Sequence, residues 1–207
     1  ADNVLAQHLF AESQRLAFAD REAFGADGDF APVPVEGLLA PDYIRARSAL
    51  IRMDRAMESA PPGAPAGAAP RAAQRLADIP ATSHMAAADA AGNVASLTST
   101  IEGPFGSGLV AAGFLLNNQL TDFDFAPVRA DGQPALNAVQ PGKRPRSSMA
   151  PTIVFDSAGK PVAAFGAAGG ATIIAQVAKA VIAYLDWGFS VEDALAAPQI
   201  IADRNGL

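Results

Sequence analysis

The chain of 207 residues contains no cysteine, which excludes thiol nucleophiles, disulfides and thiolate-held metals. The cellular compartment stays open on that ground. Only two histidines are present, His8 and His84, too few for a His-rich metal site or an evident Ser-His-Asp arrangement. No apolar run approaches the ~20 residues that span a bilayer. No basic stretch followed by an apolar one marks a signal peptide at the start of the sequence. Positive charge is sparse: 15 Lys and Arg stand against 21 Asp and Glu, a formal charge of -6. Lys143, Arg144 and Arg146 form the one tight basic cluster, too short to track a phosphate backbone, so nucleic acid is not the expected partner.

What the chain has is apolar residues, 50% of the total, enough for a core in one large domain or in part of a larger one. Asn3 to Phe24 repeats Leu5, Leu9, Leu16 and Ala19 near helical spacing. Pro41-Asp42 opens a second helical pattern, expected to run to about Met57. Residues 1–58 thus read as a helical region. From Ser59 to Pro70 the sequence is almost wholly Ala, Pro and Gly, with little to bury, and residues 59–81 are expected to be a flexible linker.

From Thr82 on, in residues 82–207, the pattern becomes β. Ser83–Ala88 and Val94–Ile101 flank the turn signal Asp89-Ala-Ala-Gly92-Asn93, which predicts a hairpin. Phe114-Leu115-Leu116 reads as a short buried strand. A second hairpin is expected from Thr152–Phe155 and Val162–Phe165 around Asp156-Ser-Ala-Gly159-Lys160. Ala171 to Leu185 is an apolar helix, and Ser190-Val-Glu-Asp193 caps a last one before Pro198. Helices, then paired strands, then helices suggest strands between helical layers.

Thr82 opens the first predicted strand. A Thr hydroxyl is a weak nucleophile and needs an adjacent base. With no evident His partner, the base that remains is the α-amino group that Thr82 would own as the first residue of a chain. That group titrates near ~8, so a neutral fraction exists at physiological pH. The proposal requires cutting Ala81–Thr82. On residue type alone Thr82 also reads as an ordinary strand residue, and Ser83 is a rival nucleophile that strand alternation points to the other face. His84 shares the side of Thr82. Asp122 also suits a cap or turn, Ser147-Ser148 a plain loop, and Gly169-Gly170 a tight turn before a helix.

The ordered set resembles the γ-glutamyltranspeptidase family. Thr82-Ser-His is similar to its Thr-Thr-His, and Asp89 to Asn93 to its Asp-x-x-Gly-Asn. Phe105-Gly-Ser-Gly108, Leu115-Leu-Asn-Asn-Gln119-Leu-Thr-Asp122-Phe, Arg144-Pro-Arg-Ser147-Ser148-Met and Gly169-Gly170 resemble the segments that follow. The resemblance implies an α+β fold, the four-layer αββα sandwich of N-terminal-nucleophile hydrolases. It implies Thr82 as nucleophile, Thr100 as the hydroxyl that orients it, and Gly169 and Gly170 as the oxyanion hole. Glu102, Gln119 and Asp122 would hold the substrate α-ammonium, and Ser147 and Ser148 its α-carboxylate. The implied activity is hydrolysis or transfer of γ-glutamyl groups from glutathione-like donors, without metal or cofactor, after self-cleavage at Ala81/Thr82.

Two departures matter. Glu102 stands where well-studied transpeptidases have an Asn, and the stretch from Asp124 to Val139 is shorter than in members with a lid, so an open acceptor side is expected. The family's large subunit begins far upstream of this sequence and contributes an Arg absent here, and its small subunit ends beyond Leu207. The chain is therefore expected to be a central piece of a proenzyme, with the remaining large-subunit segment as partner and a periplasmic or extracellular location. The rival readings are an acylase for glutaryl or cephalosporin-type amides, and an uncleaved, non-catalytic homologue that serves as a binding module.

Overall fold

The computed structural model describes residues 3–68, 81–129 and 131–202. The chain forms two compact units, one from Ala1–Leu76, Leu120–Arg146 and Ile200–Leu207, the other from Ala77–Gln119 and Ser147–Gln199. Helices and antiparallel strand pairs occur in separate stretches, as the expected α+β class requires.

In the first unit, helix α1 spans Asn3–Phe24, the range that its periodicity predicts. Leu16 and Ala19 form its buried stripe, with Ala60, Ile51 and Met57 packed against it. The same helix buries an ion pair, Glu12 with Arg15 at 3.0 Å. It is tolerated because Glu12 also accepts from the Met57 N–H at 2.8 Å and Arg15 donates to the Met57 carbonyl at 2.5 Å, which satisfies charges that would otherwise be costly. Helices α2 (Val35–Leu39) and α3 (Pro41–Ser48) follow. The helical pattern expected to reach Met57 stops at Ser48. Tight turns to the carbonyls of Arg47 and Ser48 bring the chain back so that Ile51 and Met57 both meet the α1 stripe.

The stretch read as a linker is anchored along its described part, residues 59–68. Ala60 is buried, Pro61 accepts from Arg47 at 2.8 Å, and the Gly63 N–H donates to Asp20 at 2.7 Å. Asp20 also accepts from the Tyr43 hydroxyl at 2.8 Å and pairs with Arg47 at 3.2 Å. The stretch itself takes part through backbone groups of Pro61 and Gly63, which composition does not report. Residues 69–80 lie outside the described set.

The basic cluster is used up inside this unit. Lys143 donates to the Leu136 carbonyl at 2.5 Å. Arg146 reaches the carbonyls of Arg21 and Glu22 at the end of α1, where a cation complements the helix dipole. Arg144 grips Asp27 by side chain and backbone, at 2.7, 3.1 and 2.9 Å. The Arg144 side chain, foremost, holds the Asp27 carboxyl far below the usual carboxylate range. A depressed folded-state value contributes stability that is complete above the unfolded value near ~4 and is withdrawn as pH falls through the folded one. Asp27→Asn is therefore expected to lower the thermal midpoint at pH 7, with the gap to wild type closing as the buffer is acidified. Melts across that range check it, and a gap independent of pH would refute it.

In the second unit, β1 (Thr82–Ala88) and β2 (Val94–Thr100) form an antiparallel hairpin with Thr82 opposite Thr100 and His84 opposite Thr98. Its turn is organised by the Asp89 carboxylate, which accepts from the Ala91 and Asn93 N–H groups and the Asn93 side chain. Gly92 there takes φ 87°, which a residue with Cβ resists. β3 (Val110–Ala111) and β4 (Phe114–Leu115) make a short ribbon. The buried strand expected at 114–116 is exposed instead, Phe114 by 74%, because the ribbon pairs only with itself.

β5 (Thr152–Phe155) pairs with β6 (Pro161–Phe165), and helices α4 (Thr172–Leu185) and α5 (Val191–Ala196) follow. Ser190 caps α5, its hydroxyl accepting from the Asp193 N–H at 3.0 Å. The core is Phe165 with Ile173, Val177 and Ala180 of α4. Those α4 positions are three and four residues apart, so one helical face seals the β5–β6 pair, at about 1.5–3 kcal/mol for each large side chain buried.

Candidate active site

The hairpin register decides the site. Because Thr82 lies opposite Thr100, their side chains share one face, and the Thr82 hydroxyl donates to Thr100 Oγ1 at 3.3 Å. Thr100 Oγ1 in turn donates to the Ala81 carbonyl at 2.7 Å and accepts from the Glu102 N–H at 2.8 Å. A hydroxyl offers one proton and two lone pairs, so all three positions on Thr100 are filled and its proton points at the carbonyl that precedes Thr82. Both threonines are half-buried, while Ser83, the rival nucleophile, is exposed on the opposite face.

The turn after Thr100 holds Glu102 at φ 74°, left-handed backbone that costs a residue with Cβ about 1–2 kcal/mol. Asn118 braces it. Its side-chain oxygen accepts from the Gly103 N–H at 2.8 Å, its amide donates to the Glu102 carboxylate at 2.5 Å, and its own N–H donates to the Ile101 carbonyl at 3.2 Å.

Gly169 and Gly170 close the segment between β6 and α4, with φ 125° and 59°. A Cβ on Gly169 would stand 2.5 Å from Thr172 Oγ1, so no larger residue fits. Thr172 donates to the Gly169 carbonyl at 2.7 Å and Gln176 to the Ala168 carbonyl at 2.9 Å. The carbonyl side is thereby tied down. Among the described residues neither glycine N–H has an acceptor, and free N–H groups at a helix start suit a developing oxyanion.

The segment that carries the glycines is registered on the hairpin. Ser96 of β2 donates to the Phe165 carbonyl at 3.4 Å, and the His84 ring lies so close to Gly166 that a Cβ there would overlap it. His84 Nδ1 bonds Thr98 Oγ1 at 2.9 Å. The ring thus joins β1, β2 and the chain after β6, and the hydroxyl it engages is that of Thr98, not Thr82. The His8 ring bonds the Arg52 carbonyl, outside the site residues.

Residues 2–205 match the family model described as gamma-glutamyltranspeptidase. The chain belongs to the gamma-glutamyltranspeptidase family. It is 40% identical over 202 residues to the glutathione hydrolase proenzyme of Bacillus subtilis (strain 168), covering 93% of this chain and 33% of that protein. It is 36% identical over 197 residues to an acylase proenzyme of Pseudomonas sp., covering 94% and 32%. A mutant gamma-glutamyltranspeptidase from Helicobacter pylori aligns with a TM-score of 0.51 at 37% identity, over 56% of this chain and 65% of that one. The fold is accordingly the α+β fold of N-terminal-nucleophile hydrolases, represented in part. The chain spans about a third of the length of the curated relatives it matches.

The remaining residues singled out by the family motifs are distributed over both units. Gln119 begins a 3-10 turn, Gln119–Asp122, its N–H donating to Asn117 Oδ1 at 2.9 Å. Asp122 belongs to the first unit, together with Asn137. Ser147 is exposed, its hydroxyl accepting from the Met149 N–H at 3.1 Å, and Ser148 is half-buried.

Two asparagines have structural parts that the sequence does not assign them, although Asn118 lies within a family motif. Asn118 is one. The other is Asn137, 1% exposed, which donates to the Asp122 carbonyl at 2.7 Å and accepts from the Arg146 N–H at 2.8 Å. It ties the residue read as an ammonium binder to the strand of chain just before Ser147. A cavity of about 450 Å³ in the first unit, lined by Leu16, Tyr43, Ile44 and Ile51 among others, includes none of the residues read as catalytic or substrate-binding.

Proposed function

We propose that the mature protein hydrolyses γ-glutamyl amides of the glutathione type, or transfers their γ-glutamyl group to amines, after cutting itself at Ala81–Thr82. The observation that carries this reading is the chain of hydroxyls from Thr82 through Thr100 to the Ala81 carbonyl. In the self-cleavage step Thr82 Oγ attacks the Ala81 carbonyl carbon. Its proton passes to Thr100 Oγ1 as the Thr100 proton passes to the carbonyl oxygen, so no outside base is needed. The C–N bond then breaks, the nitrogen takes a proton, and an Ala81 ester on Thr82 remains. Water opens the ester to the Ala81 carboxylate and a Thr82 with a free α-amino group.

In turnover that amine accepts the hydroxyl proton as Thr82 attacks the γ-carbonyl, and delivers it to the departing amine. Gly169 and Gly170 N–H groups stabilise the oxyanion, donors worth about 10²–10³ in rate apiece in comparable sites. Water or an acceptor amine then releases the γ-glutamyl group from Thr82. Asp122, Gln119 and Glu102 bind the substrate α-ammonium, and Ser147 and Ser148 its α-carboxylate. The route uses no metal or cofactor.

The partner in this reading is the rest of the proenzyme. The relatives named above are proenzymes about three times this length, and each unit has large apolar side chains more than 70% exposed, Leu120 and Phe125 in the first and Phe105 and Phe114 in the second, which suits each to meeting further protein. The family resemblance favours a periplasmic or extracellular setting. No helix of the described residues is long and apolar enough to cross a membrane.

The full-length gene product is expected to resolve by intact mass into two polypeptides, the smaller beginning at Thr82, and to turn over a γ-glutamyl anilide in preference to a glutaryl one. A glutaryl preference would favour the acylase reading. Glutaryl lacks the ammonium that Asp122 and Glu102 are suited to bind. A persistently single polypeptide would favour the non-catalytic reading.

A further inference from the structure

We infer that Asn118 is a positioning residue for self-cleavage, acting on the Ala81–Thr82 bond through the backbone of Glu102; the inference rests on Thr82 as the self-cleaving nucleophile. Its side chain bonds Glu102 and Gly103. It holds the turn that aims the Thr100 proton.

The chain of cause runs through a short stretch. The Thr100 proton points at the Ala81 carbonyl only while its lone pairs are occupied by the Thr82 hydroxyl and the Glu102 N–H. The Glu102 contact is a local hydroxyl-to-N–H bond across two residues, of the kind that competes with other turn geometries. It exists here because the chain leaves β2 in a turn whose next residue is left-handed, at φ 74°. Glutamate does not choose that conformation, since its Cβ crowds the following carbonyl. Something must hold it.

Asn118 is placed for that task at each residue of the turn: its N–H on the Ile101 carbonyl, its amide nitrogen on the Glu102 carboxylate, and its amide oxygen on the Gly103 N–H. Gly103 is buried and passes so close that a Cβ on it would lie 3.3 Å from the Asn118 oxygen, so the amide is fitted to this stretch of backbone. A carboxylate and a backbone N–H are best engaged together by a primary amide, which has a donor and an acceptor side. Without it, Glu102 relaxes toward negative φ, the Glu102 N–H leaves Thr100, and the Thr100 hydroxyl is free to rotate away from the carbonyl it polarises.

The carboxylate of Glu102 and its backbone play separable parts. If the backbone is what matters to cleavage, a residue that adopts left-handed φ without strain makes Asn118 dispensable. Glycine is that residue.

The test follows conversion of the full-length precursor into two polypeptides over time, for wild type, Asn118→Ala, Glu102→Gly and the double variant. Cleavage is the readout rather than turnover, because Glu102 is also assigned to the substrate. Asn118→Ala is expected to cleave about tenfold more slowly, the factor that one lost charge-assisted hydrogen bond represents. In the Glu102→Gly background the same substitution is expected to change nothing, and that pair is informative even if Asn118→Ala alone folds poorly. Equal rates for wild type and Asn118→Ala would overturn the inference. So would a tenfold loss that persists in the glycine background, since Asn118 would then act by another route. A wild-type precursor that never cleaves overturns the nucleophile reading along with this one, whereas a cleaving wild type beside an unimpaired Asn118→Ala removes this one alone.

Discussion

Thr82→Ala is expected to leave the full-length precursor as a single polypeptide and to lower turnover of a γ-glutamyl anilide by about 10⁴-fold or more, the scale seen when a covalent nucleophile is deleted. Both losses are expected from one atom, because in the proposed mechanism Thr82 Oγ opens the Ala81–Thr82 bond and later carries the acyl group. The fold should be spared: Thr82 is half-buried at the start of β1 and, among the described residues, its hydroxyl has one partner, Thr100. Mass spectrometry and initial rates on the purified variant check this. Cleavage retained in Thr82→Ala would transfer the role to Ser83, although Ser83 points to the exposed face. Thr82→Ser keeps the hydroxyl and is expected to keep both activities.

Thr100→Val should give the second largest effect, confined first to self-cleavage. Valine keeps the shape of the side chain and removes the hydroxyl. The Ala81 carbonyl then loses the Thr100 donor, the Glu102 N–H the Thr100 acceptor and the Thr82 hydroxyl its bond to Thr100. Losing one preorganised donor at a developing oxyanion costs about 10²–10³ in rate, and that slowing is expected for the appearance of the two polypeptides on a gel. The unpaired polar groups should also destabilise the precursor by about 1–3 kcal/mol. A variant that cleaves at the wild-type rate would remove Thr100 from the mechanism and leave the hydrogen bond as a piece of hairpin structure.

The difference between these residues and the asparagines shows what kind of information a sequence carries. Thr82 and Thr100 face each other because the Asp89–Asn93 turn fixes where β1 ends and β2 begins, and strand alternation then assigns faces. Those are local rules with a period of two. The bounds of α1, the second hairpin and the Ser190 cap were readable for the same reason. The early end of α3 and the anchoring of residues 59–68 were not, since Arg47, Asp20, Pro61 and Gly63 meet across many intervening positions. The exposure of Phe114 escaped as well, because an apolar pair of residues looks the same whether or not another layer covers it.

Local pattern and family motifs therefore determined the class of fold, the first hairpin and the pairing of Thr82 with Thr100 before any tertiary contact was known. Tertiary structure alone decided how the hydroxyl proton of Thr100 is aimed, why Glu102 bears a left-handed backbone, and that His84 wedges against Gly166 rather than serving Thr82. The physical reason is that periodicity reports which side of an element a residue occupies. Hydrogen bonds between distant backbone and side-chain groups are settled only when the chain has closed on itself.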